Sequence, residues 1–286
     1  VYGENNSWDE KIPTCVAAFD SLIDGGLPAG SLVLLYGEIG AGGQEFAYTS
    51  ASKLSIVKTK PARRNSIIDP YYSNVEIPEK ICYVSFTKSK EEVLREVYIS
   101  FNEEYYEAFK KNLVFKDLSN LYFKHSIVPS NWSFSGANIF SKSSSEDEGE
   151  LLEQFISFME ENAKGNLVIV DSITDLFVSS NLSEEHVFQL LKGLKSISKK
   201  WKGVVYMLLT RGVLSEQKER IVLDSMDGVL VFEWYRSKVH SWRKRYMYVD
   251  KFIGVLPHMA HAHIARFGLE VTDKSGLVVT NTERIF

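Results

Sequence analysis

The stretch Gly37-Glu-Ile-Gly-Ala-Gly-Gly-Gln-Glu-Phe46 follows directly on the apolar run Ser31–Tyr36. Glycines at this density after a buried strand suit a loop whose backbone N–H groups cradle phosphate at a helix start. A working loop of this kind reads GxxxxGK[ST]. Its lysine contacts the β and γ oxygens and its hydroxyl holds magnesium. Gly37 and Gly42 fill the two framework positions, and Gly40 adds an internal glycine. Gly43 stands where the lysine belongs and Gln44 where the hydroxyl belongs, so both reactive side chains are missing. What remains to hold an anion is the backbone of Gly37, Gly40, Ala41, Gly42, Gly43, Gln44 and Glu45. Losing the lysine forfeits about 1.5–3 kcal/mol, roughly ten- to hundredfold in affinity.

Two other clusters could do chemistry. His258, His261 and His263 lie close together in PHMAHAHIAR. Alternate positions on a strand share a face and can chelate metal. No cysteine or carboxylate stands near them in sequence, so surface histidines are the simpler reading and no metal site is expected. The segment Tyr235–Tyr246 carries Arg236, Lys238, Arg243, Lys244 and Arg245, interleaved with Tyr235, Trp242 and Tyr246. Such a hairpin could grip a nucleic-acid backbone and stack on bases. A charged edge that discourages strand pairing, or a subunit contact, is the reading favoured over it. A second basic loop, KTKPARRN, spans 58–65. No local pattern suggests a Ser/His/Asp nucleophile.

The elements that must position these residues follow from composition and periodicity. The chain has 286 residues, 44% hydrophobic and 24% charged, enough for one large core. A net charge of −4 excludes a uniformly basic coat for nucleic acid. Two cysteines, Cys15 and Cys82, form no framework and suit a reducing compartment. No apolar run is long enough to span a bilayer, and VYGENNSWDEK has no secretion-signal pattern. A soluble, cytoplasmic protein is therefore expected.

Residues 1–11 read as a loose polar tail and 12–286 as a single domain. The run 31–36 predicts a first core strand, and 45–54 predicts a helix. Prolines 61, 70 and 78 predict an irregular insertion over about 55–79. Further strands are expected at ICYVSF (81–86), NLVIVDS (166–172), GVVYMLLT and GVLVFEW. LVFKD and LYFKH are short strand candidates. Ser89-Lys-Glu-Glu92 is a capping-box pattern that opens a helix running to about Ser100. Helices are also expected at EEYYEAFKKN, 151–162 and 183–201. SKSSSEDEGE (141–150) reads as a solvated loop and helix start rather than a regulatory segment. Strands at 245–252, 264–271 and 277–280 close the chain. Alternating strands and helices predict an α/β fold: a mainly parallel twisted sheet, helices on both faces, and antiparallel strands at the C-terminal end.

The order FDSLIDGGLPAGSLVLLYGEIGAG, ICYVSF, NLVIVDSITDLF, VVYMLLT, MDGVLVFEW, YMYVDKF resembles the KaiC/RadA/GvpD group of RecA-like ATPase domains, common in archaea. The resemblance implies a RecA-like P-loop NTPase fold. It also implies homo- or hetero-oligomers, often rings or filaments, with ATP between subunits. It makes Asp171, followed by Ser172, the acid that orients magnesium, with capping of a local loop as the competing role. The water-activating acid of the group follows the second strand, where this chain has Thr87 and Lys88. Lys88 could there supply the charge that Gly43 lacks. The K-x-R-G that a neighbour offers to phosphate is Lys251-Phe252-Ile253-Gly254, with isoleucine for arginine. Lys251 is thereby a subunit-interface candidate.

Four altered parts predict a degenerate site without catalytic residues, in a regulatory, scaffold or assembly subunit. No cofactor is expected beyond weak ATP or ADP binding, with or without magnesium. The alternatives are an ATP-binding protein or slow ATPase that uses Lys88 and Asp171, and a nucleic-acid-binding accessory protein akin to recombinase paralogues.

Overall fold

The structure is a computed structural model that describes residues 10–72, 75–124, 126, 128, 148–179, 182–236, 243–257 and 264–284. His258, His261 and His263, most of 141–150, and Lys238 and Trp242 lie outside the described residues.

Among the described residues, nine strands form one sheet and two more form a small ribbon. The ribbon pairs β1 (Lys11–Ile12) with β2 (Leu27–Pro28). The sheet contains β3 (Ser31–Gly37), β4 (Ile81–Ser85), β5 (Leu113–Asp117), β6 (Leu167–Asp171), β7 (Val204–Thr210), β8 (Gly228–Arg236), β9 (Arg243–Phe252), β10 (Ile264–Thr272) and β11 (Gly276–Arg284). Its order is β11-β10-β9-β8-β3-β7-β6-β4-β5. From β8 to β5 every neighbouring pair is parallel, and from β8 to β11 every pair is antiparallel. This is the expected α/β sheet.

The parallel strands read as unbroken apolar runs because both faces are covered. Alternate residues feed two cores. Val33, Leu35, Tyr83, Ile169, Tyr206 and Phe232 pack in one. Leu34, Tyr36, Val84, Val170, Met207 and Val231 pack in the other. The first core is roofed by α1 (Ala17–Leu22), α2 (Gly43–Thr59), α3 (Arg64–Ile67), α4 (Lys90–Ser100) and α5 (Glu103–Asn112). The second is roofed by α6 (Ser119–Phe123), α7 (Glu148–Asn162), α8 (Ile173–Val178), α9 (Glu184–Trp201) and α10 (Glu216–Ser225).

Several local expectations need correction. The helix after the glycine loop does not stop at Leu54 but runs to Thr59, because Ile56 and Val57 are buried in the core. The irregular stretch therefore begins only at Lys60, and Arg64–Ile67 is helical within it. LYFKH is not a strand: Ser119–Phe123 is helical, started by the Asp117 carboxylate accepting the Ser119 N–H at 2.8 Å. The tail is tied down at its end, where Lys11 pairs with Pro28 and its ammonium reaches Asp24 at 3.0 Å.

The segment before β3 turns on Asp20. Its carboxylate accepts the Thr14 N–H (2.9 Å), the Thr14 hydroxyl (2.7 Å) and the Cys15 N–H (2.7 Å). Gly26, with φ 154°, lets the chain pass against Ile12, where any Cβ would meet backbone at 2.4 Å. Burial pushes the Asp20 carboxyl up to about 7, against the pull of the Thr14 and Cys15 hydrogen bonds and of Lys53. A carboxyl raised on folding favours the protonated native state. Its contribution is fully present below the unfolded value near 4 and is lost as pH rises to about 7. Stability should therefore fall over that window, by up to about 1.4 kcal/mol per pH unit from this group. Asp20→Asn should be less stable throughout, because its amide nitrogen meets an N–H, yet lack this slope. Urea unfolding at pH 5 and pH 7.5 measures both.

Candidate functional site

Parallel strands deliver their C-terminal ends, and the loops that follow, to one edge of the sheet. At that edge β3 ends in Gly37, β6 in Asp171, β7 in Thr210 and β4 in Ser85. Gly37, Asp171 and Thr210 border a cleft of about 430 Å³, which Lys88 enters from the turn after β4. Gly37, Gly40, Gly42, Gly43, Gln44, Glu45, Lys88, Asp171 and Ser172 all line it, although they come from three separate parts of the sequence. Ala41 is the exception: it is buried and accepts no role at the cleft wall.

The loop keeps the cradle shape. Gly40 and Gly42 take positive φ values of 71° and 123°, and α2 starts at Gly43. The Ala41 N–H returns to the Glu38 carbonyl at 3.0 Å. Among the described residues the N–H groups of Gly40, Gly42, Gly43 and Gln44 have no acceptor, as expected at a helix N-terminus. Gly37 permits the close passage of β8, where a Cβ would meet Phe232 at 2.8 Å.

The side chains around Asp171 form a closed network. Tyr83 donates its hydroxyl to Asp171 Oδ2 at 2.5 Å, and Lys88 Nζ lies 3.0 Å from the same oxygen. Gln44 Nε2 donates to the Tyr83 hydroxyl at 3.0 Å and approaches Asp171 Oδ2 at 3.4 Å. Lys88 also reaches Glu96 Oε2 at 3.1 Å, the oxygen to which Tyr48 donates at 2.5 Å. Burial, then the Asp171 charge, pushes the Tyr83 hydroxyl well up. Burial does the same to Tyr48, reinforced by Asp171 and Glu96. Both tyrosines thus stay protonated and donate. Burial alone would lower the Lys88 ammonium, but Asp171 and Glu96 outweigh it and its pKa shifts upward.

The charges do not favour a polyphosphate. Among the described residues, Glu38, Glu45, Glu96 and Asp171 line the cleft against Lys88 alone. Arg245 approaches Glu45 at 3.7 Å from outside the cleft wall. A magnesium nucleotide does not fit these residues: the Asp171 carboxylate is taken by an internal ammonium and a phenol, and the excess charge of the lining is negative. Ser172 serves α8, sharing a capping box with Asp175.

The basic cluster is divided. Arg245 Nε donates to the Gly40 carbonyl at 2.9 Å, and Trp234 Nε1 donates to the Ile39 carbonyl at 3.0 Å. Arg243 and Arg245 stack on the Trp234 ring at 4.0 and 4.7 Å. Arg245 thus latches the glycine loop. Arg243 and Lys244 are exposed, and Arg236 ends β8. Arg245→Gln should loosen the loop by about 1 kcal/mol, so its hydrogen-bonded amides, Glu38 and Ala41, should exchange about fivefold faster. Hydrogen-exchange mass spectrometry reads this directly.

Lys251 lies at the other end of the sheet, opposite Val229 at the start of β8. Its ammonium caps α10, donating to the carbonyls of Leu223 (3.1 Å) and Asp224 (2.9 Å). Ile253 beside it is almost fully exposed.

Sequence reasoning missed Tyr48, Tyr83, Glu96 and Trp234. Tyr48 had a signal: it follows Gln44 by one helical turn and shares its face. Tyr83 alternates with Ser85 on β4 and so shares its face too. Glu96 and Trp234 had none, since only tertiary packing brings them in.

No family model matches the chain, and no curated protein matches it by sequence. Among solved structures, a KaiC-like protein from the hyperthermophilic archaeon Pyrococcus horikoshii OT3 is similar to it. The match covers 95% of this chain and 99% of that one, at 16% identity and a TM-score of 0.61. At that identity the likeness is one of architecture: the chain has a KaiC-like RecA fold.

Proposed function

We propose that this chain is a non-catalytic RecA-fold protein that works as a regulatory, scaffold or assembly subunit. The carrying observation is the state of Asp171. The carboxylate that would orient magnesium is occupied by Tyr83 and Lys88 in a cleft whose other charged side chains are acidic. The loop offers N–H groups but no lysine and no hydroxyl, and Thr87 and Lys88 supply no general base. The surface, rather than the cleft, then carries the function. The architecture is compatible with homo- or hetero-oligomers of RecA-like subunits. A cytoplasmic setting goes with this reading, since Cys15 and Cys82 are free and buried. Among the described residues no helix is long and apolar enough to cross a membrane.

The test is steady-state ATP turnover by the full chain with magnesium, alongside calorimetric titration with ATP. Phosphate release at the buffer rate and no saturable binding below the millimolar range are expected. Saturable turnover that disappears in Asp171→Asn would overturn the proposal.

A further inference from the structure

We infer that the Lys88 ammonium is the resident cation of this cleft, seated in the carboxylate shell where a divalent ion would otherwise bind, so that the site is metal-independent. The two carboxylates come from distant elements, Asp171 from the end of β6 and Glu96 from α4. One ammonium bridges them, 3.0 Å from Asp171 Oδ2 and 3.1 Å from Glu96 Oε2. Each of those same oxygens also accepts a tyrosine hydroxyl, Tyr83 on Asp171 and Tyr48 on Glu96. A divalent ion on these oxygens would have to displace the ammonium and compete with both phenols.

Lys88 is positioned for this by its backbone. The buried Ser85 hydroxyl accepts the Lys88 N–H at 2.8 Å and the Thr87 N–H at 3.3 Å, turning the chain out of β4 toward the cleft. Ser89 then starts α4 with a complete capping box, and α4 carries Glu96 back to the ammonium. The ion triad therefore joins β4, β6 and α4 around one point charge. A lysine suits the place because its ammonium is a compact charge with three donors, enough for two carboxylates. Two carboxylates against one ammonium leave net negative charge, which would attract a divalent ion once the lysine is gone.

The inference rests on the non-catalytic reading only in placing no magnesium nucleotide in the cleft. Its test reads metal binding, not ATP turnover, so either idea can fail alone. Mn²⁺ is titrated into the full-length wild type, Lys88→Met, Lys88→Arg and the double variant Lys88→Met with Asp171→Asn. Circular dichroism confirms that each is folded. Wild type and Lys88→Arg should show no saturable Mn²⁺ binding. Lys88→Met should bind Mn²⁺ about tenfold more tightly or better, and the added Asp171→Asn should abolish the gain. If Lys88→Met does not fold, the wild type decides: its melting temperature should be the same in Mn²⁺ and in EDTA. Stoichiometric Mn²⁺ binding by wild type, a metal-dependent melting temperature, or a folded Lys88→Met that binds no better than wild type each overturns the inference.

Discussion

The double substitution Gly43→Lys with Gln44→Thr is expected to raise ATP affinity about ten- to hundredfold and to leave turnover at the wild-type background. There is room for it. A Cβ at Gly43 would meet Phe232 at 3.6 Å and Leu35 at 3.9 Å, ordinary contacts. The new ammonium would restore the charged contact to phosphate. Turnover needs more than this. A positioned general base contributes about 10²–10⁴-fold, and an arginine finger about 10³–10⁵-fold. The resemblance to RecA-like ATPases puts Thr87-Lys88 in place of the first and Ile253 in place of the second. Asp171 also remains tied to Lys88 and Tyr83. Calorimetry and phosphate release on the same preparation separate binding from chemistry. Turnover of the double variant at a rate typical of ATPases would show that the missing base and arginine do not matter.

The largest loss of stability is expected at Phe46, on the first turn of α2. Its ring is fully buried, 5.7 Å from both Tyr206 and Phe232 and 6.4 Å from Phe19. It thereby joins the loop helix to β7, β8 and α1 at once. Phe46→Ala removes that packing and leaves a cavity among aromatic rings that cannot collapse into it. The cost should be about 3–5 kcal/mol, a large part of a total stability of about 5–15 kcal/mol. The melting temperature should fall by roughly 10 °C. Because the lost ring anchors the first turn of α2, the hydrogen-bonded loop amides of Glu38 and Ala41 should lose exchange protection more than those of β4 and β6. Uniform loss across all strands would show that the loop helix has no separate stability.

Much of the architecture was legible in the sequence. Apolar runs such as LVLLY and LVIV are unbroken because helices cover both faces of the sheet, and that composition survives in any order of strands. The capping box at Ser89–Glu92 was legible for the same local reason: its two bonds lie within one turn. The extent of α2 beyond Leu54 was not, because Ile56 and Val57 count as helix only when their burial against the core is known. LYFKH carries strand-forming residues, and the turn in which Asp117 accepts the Ser119 N–H leads them into a helix instead.

For the site, the sequence by itself determined the inventory: a glycine loop with neither lysine nor hydroxyl at its end, an acid at the end of one apolar strand, and a lysine just past the end of another. Residue types and their local spacing fix those facts before any folding. Only the tertiary structure decided what these residues do to one another. It brings Glu96 and Tyr48 onto Lys88, sets Tyr83 on Asp171, and turns Trp234 and Arg245 onto the loop. Such contacts join elements far apart in the chain, and hydrogen bonds and ion pairs fade within a few ångströms, so no local pattern encodes them. The loop's missing side chains were written in the sequence, whereas the ammonium set between two carboxylates beside it belongs to the fold.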